Sequence, residues 1–405
     1  MRLSFIVVRY LFGVVLCLAV TFAHSFAANA TFSKDGRHLY FVGSSNFPSA
    51  LGIVRGTLFD IDVGKQSASQ IDLGPLINNH SIVAVCISNS GDLLVATDKD
   101  AWSCNIQKKS CTKICDAPEG VWFDNMAYDP KNGGILFRAG DGSGKNGAVF
   151  LKAGTSKPLP VLVRPVEYVQ DLQGMTFSPT GELYFGTRGD LWRGIIAQDE
   201  VAKGHPEGET RSWHLAAERI APLAKAYNAP GVRVEMAGVA VARTKLYVLL
   251  NRLRDSGHVD ETVLRIQKPE TVPGADAGVV ENEAADSLHL SVKEIASVGV
   301  PADLVGWTLC ASLDGKRVFY GYVTNHNEVF DIPSLVAAGK AYIIENDGKP
   351  RELKLKLPEQ ASPTASPTAR PALQKHPFEK EPDYMKRLKQ QVDEIIATPR
   401  PSQSP

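Results

Sequence analysis

The chain has 405 residues, and its 44 basic and 44 acidic side chains cancel to a formal net charge of zero. That balance supplies no bulk attraction to nucleic acid or to an anionic membrane surface, so neither is expected as a partner. The stretch from Ala28 to Leu357 is long for one compact core, which calls for an architecture that divides its apolar surface among units.

The first element is an export signal, expected over residues 1–27. Arg2 and Arg9 make the start positive, and no acid precedes Asp35. Leu11 to Ala23 is an apolar run, and small residues follow at Ser25, Ala27, Ala28 and Ala30. As a helix that run rises about 20 Å, short of a bilayer core of about 30 Å. Cleavage after Ala27 or Ala28 spares the first strand. Cys17 follows Leu16 rather than a small residue, which argues against a lipid anchor. The expected destination is the periplasm or the exterior, with no membrane span after cleavage.

Six copies of one unit follow: an apolar strand, a tight polar turn, a second apolar strand. They run over Thr31–Val42, Val85–Thr97, Met126–Arg138, Met175–Thr187, Val239–Asn251 and Leu309–Val323. A unit recurring at this spacing signals a β-propeller, one blade per copy. The fourth copy is the clearest. Met175 and Phe177 alternate with Gly174 and Thr176, Pro179-Thr180-Gly181 makes the turn, and Leu183 to Gly186 returns. A third strand is expected at Asp190–Ile195 and an outer fourth at about Arg211–Leu223. Small residues at one step (Ala84, Gly174, Gly238, Thr308) mark where first strands crowd together. Ser287 to Val298 reads as an outer strand with a loop, and Ala341–Glu345 and Arg351–Leu357 close the last blade. The fold class is thus all-β, a six-bladed β-propeller of four-stranded antiparallel blades over residues 28–357.

Between the second and third copies, Trp102 to Lys113 reads as a hairpin of outer strands. It places Cys104 opposite Cys111, and export permits a disulfide there. Cys115 is an alternative partner. Cys86 and Cys310 share one step of two copies and read as small buried hydrophobes. After the third copy, Asp141 to Gly147 has the alternating oxygens of a calcium loop. Lys145 stands where an acid is needed and no bidentate glutamate follows, so a turn is expected.

A propeller's ligand site lies at one mouth of its axis, on residues leading into the first strands. Here those are Glu119, Asp124, Asn125, Asp171, Gln173, Glu235, Asp303 and Trp307. Oxygens converging from several blades suit Ca²⁺, which takes six to eight. The set to test is Glu119, Asp124, Asn125, Asp171 and Glu235. No other cofactor is expected. The nine histidines form no catalytic or metal-binding pattern, and no nucleophile elbow or phosphate loop is present. Trp122, Trp192, Trp213 and Trp307 read mainly as packing between blades, with one or two able to serve as a glycan or peptide platform.

The last element, residues 358–405, is a Pro/Ser/Thr-rich tail with nine prolines, expected to be extended and disordered. Within it, residues 382–397 carry Met385, Leu388, Val392, Ile395 and Ile396 at helical spacing.

On these motifs, Thr31 to Leu357 resembles the propeller superfamily that includes TolB-like, YVTN and NHL-type repeats. Phe32-Ser33-Lys34-Asp35-Gly36 and Phe177-Ser178-Pro179-Thr180-Gly181 resemble TolB-like turns. Tyr322-Val323-Thr324-Asn325 with Val329-Phe330-Asp331-Ile332 resembles a YVTN repeat. The resemblance implies fold rather than activity. Glu119-Gly120-Val121-Trp122 resembles the entry of gluconolactonase-type propellers, which implies a metal that polarises a lactone. Two readings follow. The first is an exported, monomeric module binding a protein, a small molecule or a glycan, with the tail as a docking arm. The second is a Ca²⁺-dependent lactonase-type hydrolase. A quinone-dependent sugar dehydrogenase, another propeller activity, has no specific support.

Overall fold

The computed structural model describes residues 30–45, 57–141, 146–164, 172–187, 189–198, 212–223, 227, 230, 232–242, 245–254, 259–267, 292–300, 304–324, 329–330, 341–346 and 348–355. The chain divides into two units. Every described residue belongs to the first, Met1–Phe47 with Val54–Pro358. The second, Pro48–Ile53 with Glu359–Pro405, lies outside the described residues, as do the expected leader and tail.

The fold is all-β and propeller-type. The first meander is β1 (Ala30–Phe32), β2 (His38–Ser45), β3 (Thr57–Asp62) and β4 (Ser67–Ile71). The second is β5 (Ile82–Ile87), β6 (Leu93–Thr97), β7 (Asp100–Asn105) and β8 (Ser110–Asp116). The third is β9 (Val121–Tyr128), β10 (Ile135–Asp141), β11 (Asn146–Leu151) and β12 (Leu159–Arg164). The fourth is β13 (Gln173–Phe177), β14 (Leu183–Thr187), β15 (Asp190–Gln198) and β16 (Trp213–Ala221). The fifth is β17 (Val232–Ala242), β18 (Lys245–Arg254), β19 (Val259–Gln267) and β20 (Val292–Val300). Finally come β21 (Leu304–Ala311), β22 (Arg317–Thr324), β23 (Val329–Phe330), β24 (Ala341–Glu345) and β25 (Arg351–Glu352). Each predicted copy falls on the first two strands of a meander.

The sheets depart from separate four-stranded units in two places. β23 leaves the last meander to pair with β2 of the first. β12 pairs with β11 only at Leu159 and Pro160, then runs parallel to β16 from Val161 to Arg164. The third and fourth meanders thereby become one eight-stranded sheet, joined at their outer strands.

The core is divided as the length demanded. In β6, Leu93 and Val95 pack with first-meander residues such as Tyr40 and Val42, while Leu94 and Ala96 pack with Phe123 and Phe137 of the third. Strands covered on both faces read as continuous apolar runs, as parallel sheets do, because alternate side chains serve different neighbours. The same division repeats between the third and fourth, fourth and fifth, and fifth and sixth meanders. It closes where Phe32 and Phe41 meet Phe319 and Ile343. First strands touch in the order β1, β5, β9, β13, β17, β21 and back to β1.

Four of the turns after the first strands share one design. Gly36, Gly91, Gly181 and Gly315 have positive φ, and each donates its N–H to the carbonyl of a serine three residues earlier. That serine hydroxyl also accepts the N–H that opens the returning strand, at 3.0–3.1 Å for Ser33, Ser88, Ser178 and Ser312. Successive turns are linked in their turn. Arg317 donates to the Gly36 carbonyl, Lys34 to that of Asn89 at 2.6 Å, and Asn89 to that of Pro130 at 2.6 Å.

The crowded step is real. A Cβ on Gly174 would lie 2.6 Å from the Gly238 Cα, and one on Gly238 would lie 2.8 Å from the Leu309 Cβ. Beside this step the first strands carry a register shift in five meanders: at Val83, Asp124, Gly174–Met175, Ala237 and Trp307. Such bulges re-aim side chains at the end of a strand.

Candidate functional site

Two of the sequence-selected residues, Asp124 and Trp307, occupy these bulges. Glu119 is exposed in the turn before β9, next to Gly120 with its φ of +74°. Asn125 is fully buried, and its Oδ1 accepts the N–H of Met126 at 2.7 Å. Gln173 and Glu235 lie on first strands opposite Gly186 and Asn251. The side chains of Gln173, Glu235 and Trp307, and the whole of Asp171 and Asp303, lie outside the described residues.

The structure brings Asp124 to Arg138, a residue the sequence reading did not single out. Arg138 Nε lies 2.9 Å from both carboxylate oxygens of Asp124, and Nη2 lies 2.7 Å from Oδ2. Nη1 donates to the Leu172 carbonyl, at the entry to β13, at 3.3 Å. A buried guanidinium must have its charge matched and its donors placed, and this fork does both. Register puts Arg138 at a step held by Ala96, Leu249 and Gly321 in other meanders. That departure within the repeat was the available signal.

One neighbour on this face is Trp122. It pairs in register with Gly140, and a Cβ on Gly140 would lie 2.7 Å from the indole. The indole therefore rests directly on the glycine. Trp102, Trp192 and Trp213 are buried as packing residues, whereas Trp122 is 41 % exposed.

A second polar cluster was also missed. Asp100 is buried and accepts from Thr97 Oγ1 at 2.5 Å and from Trp102 Nε1 at 2.7 Å. His80 Nδ1 lies 3.2 Å from its other oxygen, and Lys113 Nζ lies 3.7 Å away. Burial pushes the Asp100 carboxyl up, but hydrogen bonds from Thr97, Trp102 and His80 outweigh it and hold the group below its ordinary value. The spacing Thr-x-x-Asp-x-Trp recurs at Thr187, Asp190 and Trp192, a sequence signal for the same corner of two meanders.

Cys104 and Cys111 form the expected disulfide, directly opposite each other on β7 and β8. Cys115 is free and buried. A register shift between Ala101 and Trp102 puts Ile114 out of step. Cys115 consequently packs toward the third meander while Cys104 packs toward the first. The alternative pairing is thereby corrected. Burial pushes the Cys115 thiol up to about 12, so it is not a reactive thiolate. Among the described residues no helix is long and apolar enough to cross a membrane.

No protein-family model and no curated protein matches this chain. Solved structures similar to it include an oligogalacturonate lyase from Vibrio parahaemolyticus (TM-score 0.39, 11 % identity, 81 % of this chain and 77 % of that one). A luciferin-regenerating enzyme aligns with TM-score 0.44 and 10 % identity over 82 % of this chain and 97 % of that one. TolB from Acinetobacter baumannii aligns with TM-score 0.39 and 11 % identity over 79 % and 66 %. Likenesses this distant bear on neither activity nor ligand. The resemblance to the β-propeller superfamily stands on the sheets themselves, whose first strands meet in cyclic order.

Proposed function

We propose that this chain is a six-bladed propeller exported by the signal at residues 1–27, and that it binds a ligand or partner rather than turning over a lactone. Each meander is one blade, and the ligand site is the end of the barrel of first strands where they bulge. The tail at 358–405 is a docking arm, and the chain acts as a monomer.

The observation that carries this reading is the pairing of Asp124 with Arg138. In the metal reading Asp124 is a ligand and must turn its oxygens toward a cation. Here both oxygens accept from a buried guanidinium, and Asn125 Oδ1 accepts from its own strand. Two of the three described oxygen donors, Asp124 and Asn125, thus already have partners, which favours binding over a calcium site. No group of three or more acidic, histidine or cysteine residues able to hold a metal occurs among the described residues.

The test is a melting curve with EDTA and then with excess Ca²⁺. A site filled at 100 times its Kd adds about 2.7 kcal/mol, a shift of several degrees. Unchanged melting is expected. A calcium-dependent rise would overturn the reading and restore the lactonase alternative.

A further inference from the structure

We propose that the exposed indole of Trp122, with the carboxylate of Asp124, forms a binding site for the ring of a neutral sugar. This rests on the reading of the protein as a binding module and names its ligand class.

Trp122 and Asp124 lie two residues apart on β9, and Phe123 between them is buried in the opposite face. They therefore share the face that carries Gly140 and Arg138. Two residues of strand span about 7 Å, a separation that one pyranose ring bridges. A single exposed aromatic is ordinary on a protein surface. This one differs because its support is built. Gly140 lets the indole lie against the backbone, while 41 % of Trp122 stays exposed and offers apolar ring surface of the kind that stacks on sugar C–H groups.

The charge pattern selects among ligands that stack on tryptophan. A quaternary cation is held by the ring's own quadrupole and gains most where uncompensated negative charge stands beside it. Asp124 offers none, because Arg138 already matches it. What remains is a pair of carboxylate oxygens held in fixed directions, with the Asp124 side chain still 22 % exposed. Fixed acceptors beside an apolar plane match a sugar, whose hydroxyls donate at its edge while its ring face is apolar.

The experiment is a printed array of neutral glycans probed with the purified protein, followed by calorimetric titration of the best binder. Tetramethylammonium is titrated alongside as the cation. Three variants are compared: Trp122→Ala, Trp122→Phe and Gly140→Ala. Gly140 has ordinary φ, so alanine there displaces the indole without straining the backbone. The expected result is sugar binding that weakens at least about tenfold in Trp122→Ala and Gly140→Ala, is partly kept in Trp122→Phe, and leaves melting temperatures close to the parent. An array without a neutral binder overturns the proposal. So does binding that Trp122→Ala leaves intact, or tetramethylammonium binding in place of sugar. None of these three depends on calcium. A flat array with no calcium shift therefore removes the sugar alone, whereas a calcium shift removes the binding-module reading beneath it.

Discussion

Asp100 shows how one side chain can fasten a corner of a sheet. Its acceptors are filled from three sides, by a threonine on β6, a tryptophan on β7 and a histidine before β5. Removing the carboxylate orphans the buried donors of Thr97 and Trp102, and the cost of such orphans is about 1–3 kcal/mol each. Asp100→Ala should lower stability by roughly 2–4 kcal/mol in chemical denaturation. The sign with pH also follows. A carboxyl held below its unfolded value contributes stability above about pH 4, and that contribution is lost as pH falls through the folded value. The stability gap between the parent and Asp100→Asn should therefore narrow on acidification. A gap that widens in acid would refute this account of the network. Arg138 teaches the complementary lesson about reading residues. Its sequence neighbours are those of an ordinary strand, and only alignment of the copies by register exposes a charge at an apolar step. Asp124 was legible as a polar entry residue, but its partner was not, because the bulge that joins them is a property of two strands together.

At the scale of elements, the copies were legible because two periodicities coincide. Alternating apolar residues specify the strands, and in four copies a serine three residues before a glycine specifies the turn. Outer strands were less legible. The expected strand at about Arg211–Leu223 exists as β16, but its parallel pairing with β12 had no local signal, since β12 must first diverge from β11. Two element-level outcomes can be measured. Gly174 combines a φ of +54° with a neighbouring backbone 2.6 Å from its would-be Cβ. Gly174→Ala should cost about 1–3 kcal/mol or more, as overpacking at a left-handed position does, and an unchanged denaturation midpoint would contradict the crowding. The Cys104–Cys111 bond closes a short loop, so its loss in a Cys104→Ala/Cys111→Ala pair should cost only about 2 kcal/mol. Unfolding of that variant at room temperature would mean the hairpin is held far less by its packing than its burial implies.

For the whole molecule, closure matters more than any one sheet. β1 is three residues long, yet Ala30 and Phe32 fill the cluster where the last meander meets the first. A chain beginning at Ala28 should fold and melt in one transition. One beginning at Ser33 should lose several kcal/mol, since burying a single phenylalanine is worth about 1.5–3 kcal/mol and the apolar faces around it open as well. Equal melting temperatures for the two would show that the first strand does not hold the ring shut.

The clasp between β12 and β16 has a consequence for self-association. An outer strand with unsatisfied amides is a template for another chain, and a meander standing alone would present one at its rim. By spending two such rims on each other along Val161 to Arg164, the third and fourth meanders hide both from strangers. Substituting Val163 by proline, which fixes φ and has no N–H, should weaken that ladder and reopen two edges at once. The first symptom should then be concentration-dependent aggregation at temperatures where the remaining sheets are still folded.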